Sequence, residues 1–217
     1  MSRFSGDMKK FKIELLDYQI HGVQLIQPLS QVQYMEVYEQ VSQALMNKGK
    51  STDRYVGGVE GERGERRHYK YVRLDGNQCL AYSPLLWKVY SAYKPLVEKV
   101  TGREVLFSPW IQSAITTKLY GEEGAEHGWH TDTNSVTLIL SLNDGSSPFE
   151  FCFPPQHYSE GEVQQIPSVS NSAIVLRNDV WHRIPTMLKN EKPRLSVVFN
   201  YYHEGEITRP VGLTSYS

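Results

Sequence analysis

After Gly102 the apolar residues change period, and this change limits what the chain can fold into more than any other feature. Upstream, Tyr34, Val37, Tyr38, Val41 and Leu45 recur at helical spacing, as do Leu86, Val89, Tyr90, Tyr93, Val97 and Val100. Downstream, residues 111–120 (IQSAITTKLY), 136–143 (VTLILSLN), 149–153 (FEFCF), 172–176 (SAIVL) and 194–202 (RLSVVFNYY) read as short strands with turn residues between them. In FEFCF, Phe149, Phe151 and Phe153 take one face, and Glu150 and Cys152 the other. Short strands separated by turns, such as NDGSSP at 143–148, predict an antiparallel sandwich or barrel. The expected architecture is mostly β with flanking helices: N-terminal buttressing helices, then a double-sheet core.

Local signals mark the boundaries. Residues 12–20 (KIELLDYQI) suit a strand. Ser30 with Gln33 has the form of a capping box, and Asn47-Lys48-Gly49 a stop. Ser83 suits an N-cap before Pro84 at the first helical position; Pro95 should kink that helix and Gly102 end it. Residues 57–73 mix four glycines with charge. They read as a solvated loop or as a lid whose Arg63, Arg66, Arg67, Lys70 and Arg73 meet a substrate.

A length of 217 residues suits one domain, and 40% hydrophobic residues suffice for a core without staples. The net charge of −1, from 23 basic and 24 acidic residues, gives no surplus to hold nucleic acid or an anionic membrane surface. Cys79 and Cys152 are too few for a disulfide framework and read as packed, reduced thiols. The first residues lack the apolar stretch of a secretory signal, and no run approaches the ~18 apolar residues of a membrane span. A cytoplasmic protein is expected.

The chemistry begins at His130-Thr131-Asp132, just before the apolar run VTLIL. In extended chain, residues i and i+2 share a face about 6.6 Å apart, so imidazole and carboxylate point the same way. Such a pair invites a divalent metal, and a third ligand must come from a distant strand. His182, in NDVWHRIP after SAIVL, is the best candidate. Two histidines and one carboxylate on one face of an octahedron leave three positions open, the arrangement of non-haem Fe(II) oxygenases. Arg194 and Ser196 share the inward face of the last core strand. An arginine buried there requires an anion, and a planar carboxylate is its natural bidentate partner.

His-x-Asp, a distal His and Arg-x-Ser on the next strand resemble the Fe(II)/2-oxoglutarate-dependent dioxygenases. KLYGEEGAEHGWHTD (118–132) is similar to the prolyl-4-hydroxylase branch, with Tyr120 ten residues before the first histidine. The resemblance covers roughly residues 110–204. It implies a double-stranded β-helix (jelly-roll, cupin-like) core at 110–204, with support and a possible lid in 1–109 and a tail at 205–217, all in one domain.

The resemblance also implies that His130, Asp132 and His182 bind Fe(II). Arg194, helped by Ser196 and Tyr120, would hold the far carboxylate of 2-oxoglutarate, and Lys118 is an alternative anchor on the same strand face as Tyr120. O₂ would take the last metal position, ascorbate would support turnover, and succinate and CO₂ would be released. The aspartate argues against halogenation. A tyrosine found in some hydroxylases of this branch is missing from LILSL, so hydrogen bonds to the cosubstrate should be redistributed.

Trp129, Asn134 and Arg183 flank the ligands and are candidate substrate residues, with Arg66 and Arg67 of the lid; His127 lies near the metal in HGWH. The expected substrate is a small molecule, a free amino acid or biosynthetic intermediate. Hydroxylation of a peptide or protein side chain is the alternative. Nucleic-acid demethylation fits less well: no arginine occurs between Leu195 and Thr208, and the charge is near neutral. A non-catalytic metal-binding β-sandwich would leave the open metal positions and the arginine without purpose.

Overall fold

A computed structural model describes residues 16–56, 67–153, 157 and 159–207. In chain order the elements are α1 (Tyr18–His21), β1 (Val23–Ile26), α2 (Gln31–Lys48), β2 (Lys50–Val56), β3 (Arg67–Leu74), α3 (Gly76–Tyr82) and α4 (Leu85–Thr101). There follow β4 (Leu106–Phe107), α5 (Ile111–Ala114), β5 (Ile115–Tyr120), β6 (Glu126–His130), β7 (Val136–Ser141) and β8 (Phe149–Phe153). The chain ends with β9 (Glu162–Ile166), β10 (Ser172–Arg177), β11 (His182–Ile184) and β12 (Arg194–Tyr202).

The strands pair antiparallel along the path β1-β10-β7-β12-β5-β3-β6-β11-β8-β9. β3 is the corner of this path. Its Val72–Leu74 stretch pairs with β5, and Tyr69 and Lys70 pair with β6. The sheet curls there, so that β5, β7 and β12 face β6, β8 and β11 across a cleft lined from both sides. This is the jelly-roll architecture that the family resemblance implies, and its double sheet is the one the short strands predict.

Two apolar clusters explain why the core strands are so continuously hydrophobic. Leu138 and Leu140 of β7, Val197 and Phe199 of β12, and Ala173 and Val175 of β10 point backwards. There they meet Val37, Val41 and Leu45 of α2 and Leu86, Tyr90, Tyr93 and Val97 of α4. The alternate residues Ile139, Ile174 and Leu176 point forwards and meet Phe149, Phe151, Ile166 and Ile184 of the opposite sheet. Both faces of β7 are covered, so all six of its residues are buried.

Several local expectations are corrected. Residues 18–21 form α1 rather than a strand, because Asp17 accepts from the Gln19 and Ile20 amides and Gly22 adopts φ 69° to end the turn. The strand forms after this glycine instead, as β1 against β10; residues 12–15 lie outside the description. Ser30 caps α2 by accepting from the Gln33 amide, but the reciprocal box is found at Asp75 and Gln78 of α3. Ser83 does not cap α4; it is buried and closes α3 through its backbone. As expected, α4 ends at Gly102, with φ 69°, after running on past Pro95 to Thr101. Ile111–Ala114 is a helical turn, with only Ile115–Tyr120 extended. The charged stretch read as a loop is strand from Arg67 onward, paired with β2; residues 57–66 lie outside the description.

Candidate active site

His130 closes β6, and His182 opens β11 directly opposite it, so the pairing of these two strands brings the histidines together. Asp132 stands two residues past the end of β6, not within the strand. Its carboxylate oxygens lie 3.8 Å from His130 Nε2 and 3.7 Å from His182 Nε2. One ligand atom from each of the three residues falls within 4.8 Å of the others.

Hydrogen bonds fix the directions of these groups. His130 Nδ1 lies 2.8 Å from the Gly128 carbonyl and His182 Nδ1 3.0 Å from the Val180 carbonyl. A carbonyl only accepts, so each Nδ1 carries the proton and each Nε2 presents its lone pair toward Asp132. Thr137 of β7 donates its hydroxyl proton to Asp132 Oδ2. Asn134 in turn donates to Thr137 Oγ1 and to the Val136 carbonyl, both at 2.8 Å. The three groups could hold a divalent metal, since two nitrogen donors and one oxygen donor face one another across the cleft.

The other end of the cleft is cationic. Arg194 of β12 is 1% exposed, and burial draws its pKa down to about 10. Its Nη1 donates to the Ser147 carbonyl at 2.9 Å, while its buried Nε has no partner among the described residues. The turn at 143–148 is therefore more than a connector. Gly145 packs so closely that a Cβ there would meet the Arg194 backbone at 2.9 Å, which only glycine avoids. Tyr120 lies directly opposite Arg194, and Ser196 opposite Lys118, on β5. Tyr120 is buried, with its hydroxyl 3.3 Å from His127 Nδ1, and burial raises its pKa. His127 stacks on His130 at 4.1 Å and 7°, a bridge between the two ends.

The candidate substrate residues divide. Arg183 lines the cleft with its guanidinium 4.8 Å from the Trp129 ring, and its Nε pairs with buried Glu150 at 2.5 Å. Asn134 is buried behind Thr137 and does not line the cleft; it belongs to the support of Asp132. Arg66 lies outside the description, and Arg67 opens β3. Thr137 was not legible as a functional residue. Its signal is a hydroxyl on the cleft face of a strand whose next cleft-facing residue, Ile139, is apolar. Glu150, buried beside Arg183, was missed as well.

No protein-family model matches the sequence, and no curated protein matches it. Solved structures do: the fold is that of the 2-oxoglutarate/Fe(II) oxygenases. AviO1 from Streptomyces viridochromogenes Tue57 superposes with a TM-score of 0.67 at 16% identity, covering 91% of this chain and 96% of that one. SnoN, a non-haem α-ketoglutarate-dependent epimerase from nogalamycin biosynthesis, gives 0.64 at 15% identity over 91% of this chain and 84% of its own. A Trichoplax adhaerens prolyl hydroxylase, solved with a peptide fragment of hypoxia inducible factor, gives 0.59 at 15% identity over 87% of each chain. Among the described residues, no helix is long and apolar enough to cross a membrane.

Proposed function

We propose that the protein is an Fe(II)- and 2-oxoglutarate-dependent oxygenase that hydroxylates a small molecule. The observation that carries this is the pairing, in one cleft of an oxygenase fold, of a His-Asp-His cluster with a buried arginine. A non-catalytic sandwich has no use for both. His130, Asp132 and His182 hold the metal, and Arg194 holds the far carboxylate of 2-oxoglutarate, with Ser196 and Tyr120 beside it. When bound, iron, O₂ and 2-oxoglutarate supply the oxidising chemistry, with succinate and CO₂ as coproducts.

The chain's own residues position and enclose. Thr137 keeps Asp132 turned toward the two Nε2 atoms. Ile139, Phe149, Ile184 and Val198 form apolar walls that exclude water. Arg183 on Trp129 orients the substrate from the cleft wall. The likeness to SnoN, an enzyme of nogalamycin biosynthesis, favours a small substrate. The prolyl hydroxylase likeness keeps a peptide side chain as the second reading.

The test is succinate release with Fe(II), 2-oxoglutarate and ascorbate across matched panels of metabolites and peptides. Stimulation by a metabolite, lost in His182→Ala, supports the proposal. Stimulation by peptides alone moves the assignment to the second reading, and no 2-oxoglutarate turnover with either panel removes it.

A further inference from the structure

Among the described residues, Lys118 is the one cation lining the cleft that the site as assigned leaves without a task. It stands on the cleft face of β5, half-buried, with Nζ 3.0 Å from His127 Nδ1 and 5.5 Å from the centre of the Tyr71 ring. Neither neighbour neutralises it. An ammonium carries three protons, and the imidazole nitrogen accepts one. Among the described residues, the one carboxylate lining the cleft is Asp132, which faces the two histidines.

Strand register gives its place along the cleft. Thr137, which holds Asp132, pairs with Asn200; Ile139 pairs with Val198; Ser141 pairs with Ser196. On the other side of β12, Ser196 pairs with Lys118 and Arg194 with Tyr120. Successive cleft-facing rows therefore run from the level of Thr137, past Ile139 and Val198, to Ser196 with Lys118, and then to Arg194 with Tyr120. Lys118 lies on the metal side of Arg194, so that a half-buried and a buried cation stand on adjacent rows with no carboxylate lining the cleft between them among the described residues.

We propose that Lys118 is a second cation of the cosubstrate site, binding the carboxylate nearer the metal while Arg194 holds the far one. The cleft then clasps both ends of a single 2-oxo dicarboxylate, and Lys118 sets its depth and orientation before the metal completes the chelate. This rests on the oxygenase reading above. Burial also draws the Lys118 pKa down to about 8, so its charge is costly until an anion arrives.

The experiment compares two five-carbon ligands, glutarate with two carboxylates and pentanoate with one, by calorimetry on the anaerobic Fe(II)-loaded protein, beside 2-oxoglutarate. Lys118→Met is expected to weaken glutarate and 2-oxoglutarate about tenfold or more, the scale of a charge-assisted hydrogen bond. Pentanoate binding should change by less than about twofold on that same scale. Lys118→Arg is expected to recover most of the glutarate affinity, and it carries the comparison with Lys118→Gln if the methionine variant does not fold. Equal losses for glutarate and pentanoate would make Lys118 a structural support of His127 and overturn the proposal, as would unchanged glutarate binding. If the parent protein binds no 2-oxoglutarate, the oxygenase reading fails with it; if the parent binds and the variants bind alike, only the role of Lys118 fails.

Discussion

The two ends of the cleft are finished differently. At the metal end, the groups that aim the ligands have partners within the chain: each histidine Nδ1 meets a carbonyl, and Asp132 is held by Thr137, which is held by Asn134. At the far end, Arg194 satisfies one nitrogen on Ser147 and leaves Nε without a partner among the described residues, while Lys118 faces the cleft beside an imidazole. A buried cation without an anion costs on the order of several kcal/mol. On the proposed function, the metal end is preorganised by the protein, whereas the anion end is completed only by what binds there. Removing support at the first should loosen a formed site, and removing a cation at the second should abolish a ligand while relieving strain.

The largest effect tests whether the triad is one unit. Replacing His130, Asp132 or His182 by alanine should remove bound iron, measured by metal analysis, and reduce succinate formation to background with the far-UV spectrum kept. Full turnover by His182→Ala would falsify the assignment.

The contrast between the ends is sharpest at Arg194. Arg194→Lys keeps charge but loses the fork, and should raise the 2-oxoglutarate requirement about tenfold or more. Arg194→Met should lose 2-oxoglutarate binding yet melt no lower than the parent when no ligand is present, because a buried, partly unpaired charge has been removed. A large fall in melting temperature would mean that the arginine is structural. In the parent, saturating 2-oxoglutarate should raise the melting temperature, with a gain of about 2.7 kcal/mol at a hundredfold excess over Kd.

Thr137→Val keeps the shape of the side chain and removes the proton donated to Asp132. Metal affinity should fall about tenfold, the usual scale for a lost partner of a ligand, with a smaller loss for Asn134→Ala. Unchanged affinity in both would leave Asp132 oriented by the metal alone, which would erase the difference between the two ends.

The smallest effect is on pH. Lys118 titrates near 8, chiefly through burial; Asp132 pulls that value up and Arg73 pushes it down, with Tyr71, His127 and Tyr120 as its polar neighbours. It is cationic below about 8 and neutral above. Glutarate affinity should therefore weaken several-fold between about pH 7 and 9, and the slope should flatten in Lys118→Met. The same depressed pKa opposes folding below about 8, and that penalty is relieved as pH rises from about 8 toward the ordinary lysine value of 10.5.

Much of the double-sheet core was legible because period-two patterning is local. A strand covered on both faces, such as β7, is mostly apolar, with Thr137 and Ser141 its polar exceptions, and Arg194 and Ser196 on β12 mark the face that is not simply core. His-x-Asp was legible as a motif, but strand alternation is not what aims it, because Asp132 stands past the end of β6 and Thr137 holds its carboxylate.

What the sequence could not decide depended on residues far apart. His182 lies in a three-residue strand, too short for a period, and its place opposite His130 is set by the pairing of β11 with β6. The charged run from Arg67 reads as loop in isolation; it is a strand because β5 and β6 both need an edge partner, and β3 supplies it to each in turn. Asn134 looked like a pocket residue from its nearness to Asp132, yet the turn before β7 buries it behind Thr137. By itself the sequence determined which residue types were present and which shared a strand face, because both follow from covalent geometry. Only the tertiary structure decided which strands meet, and so whether a given polar group holds a ligand residue in place or waits for an anion.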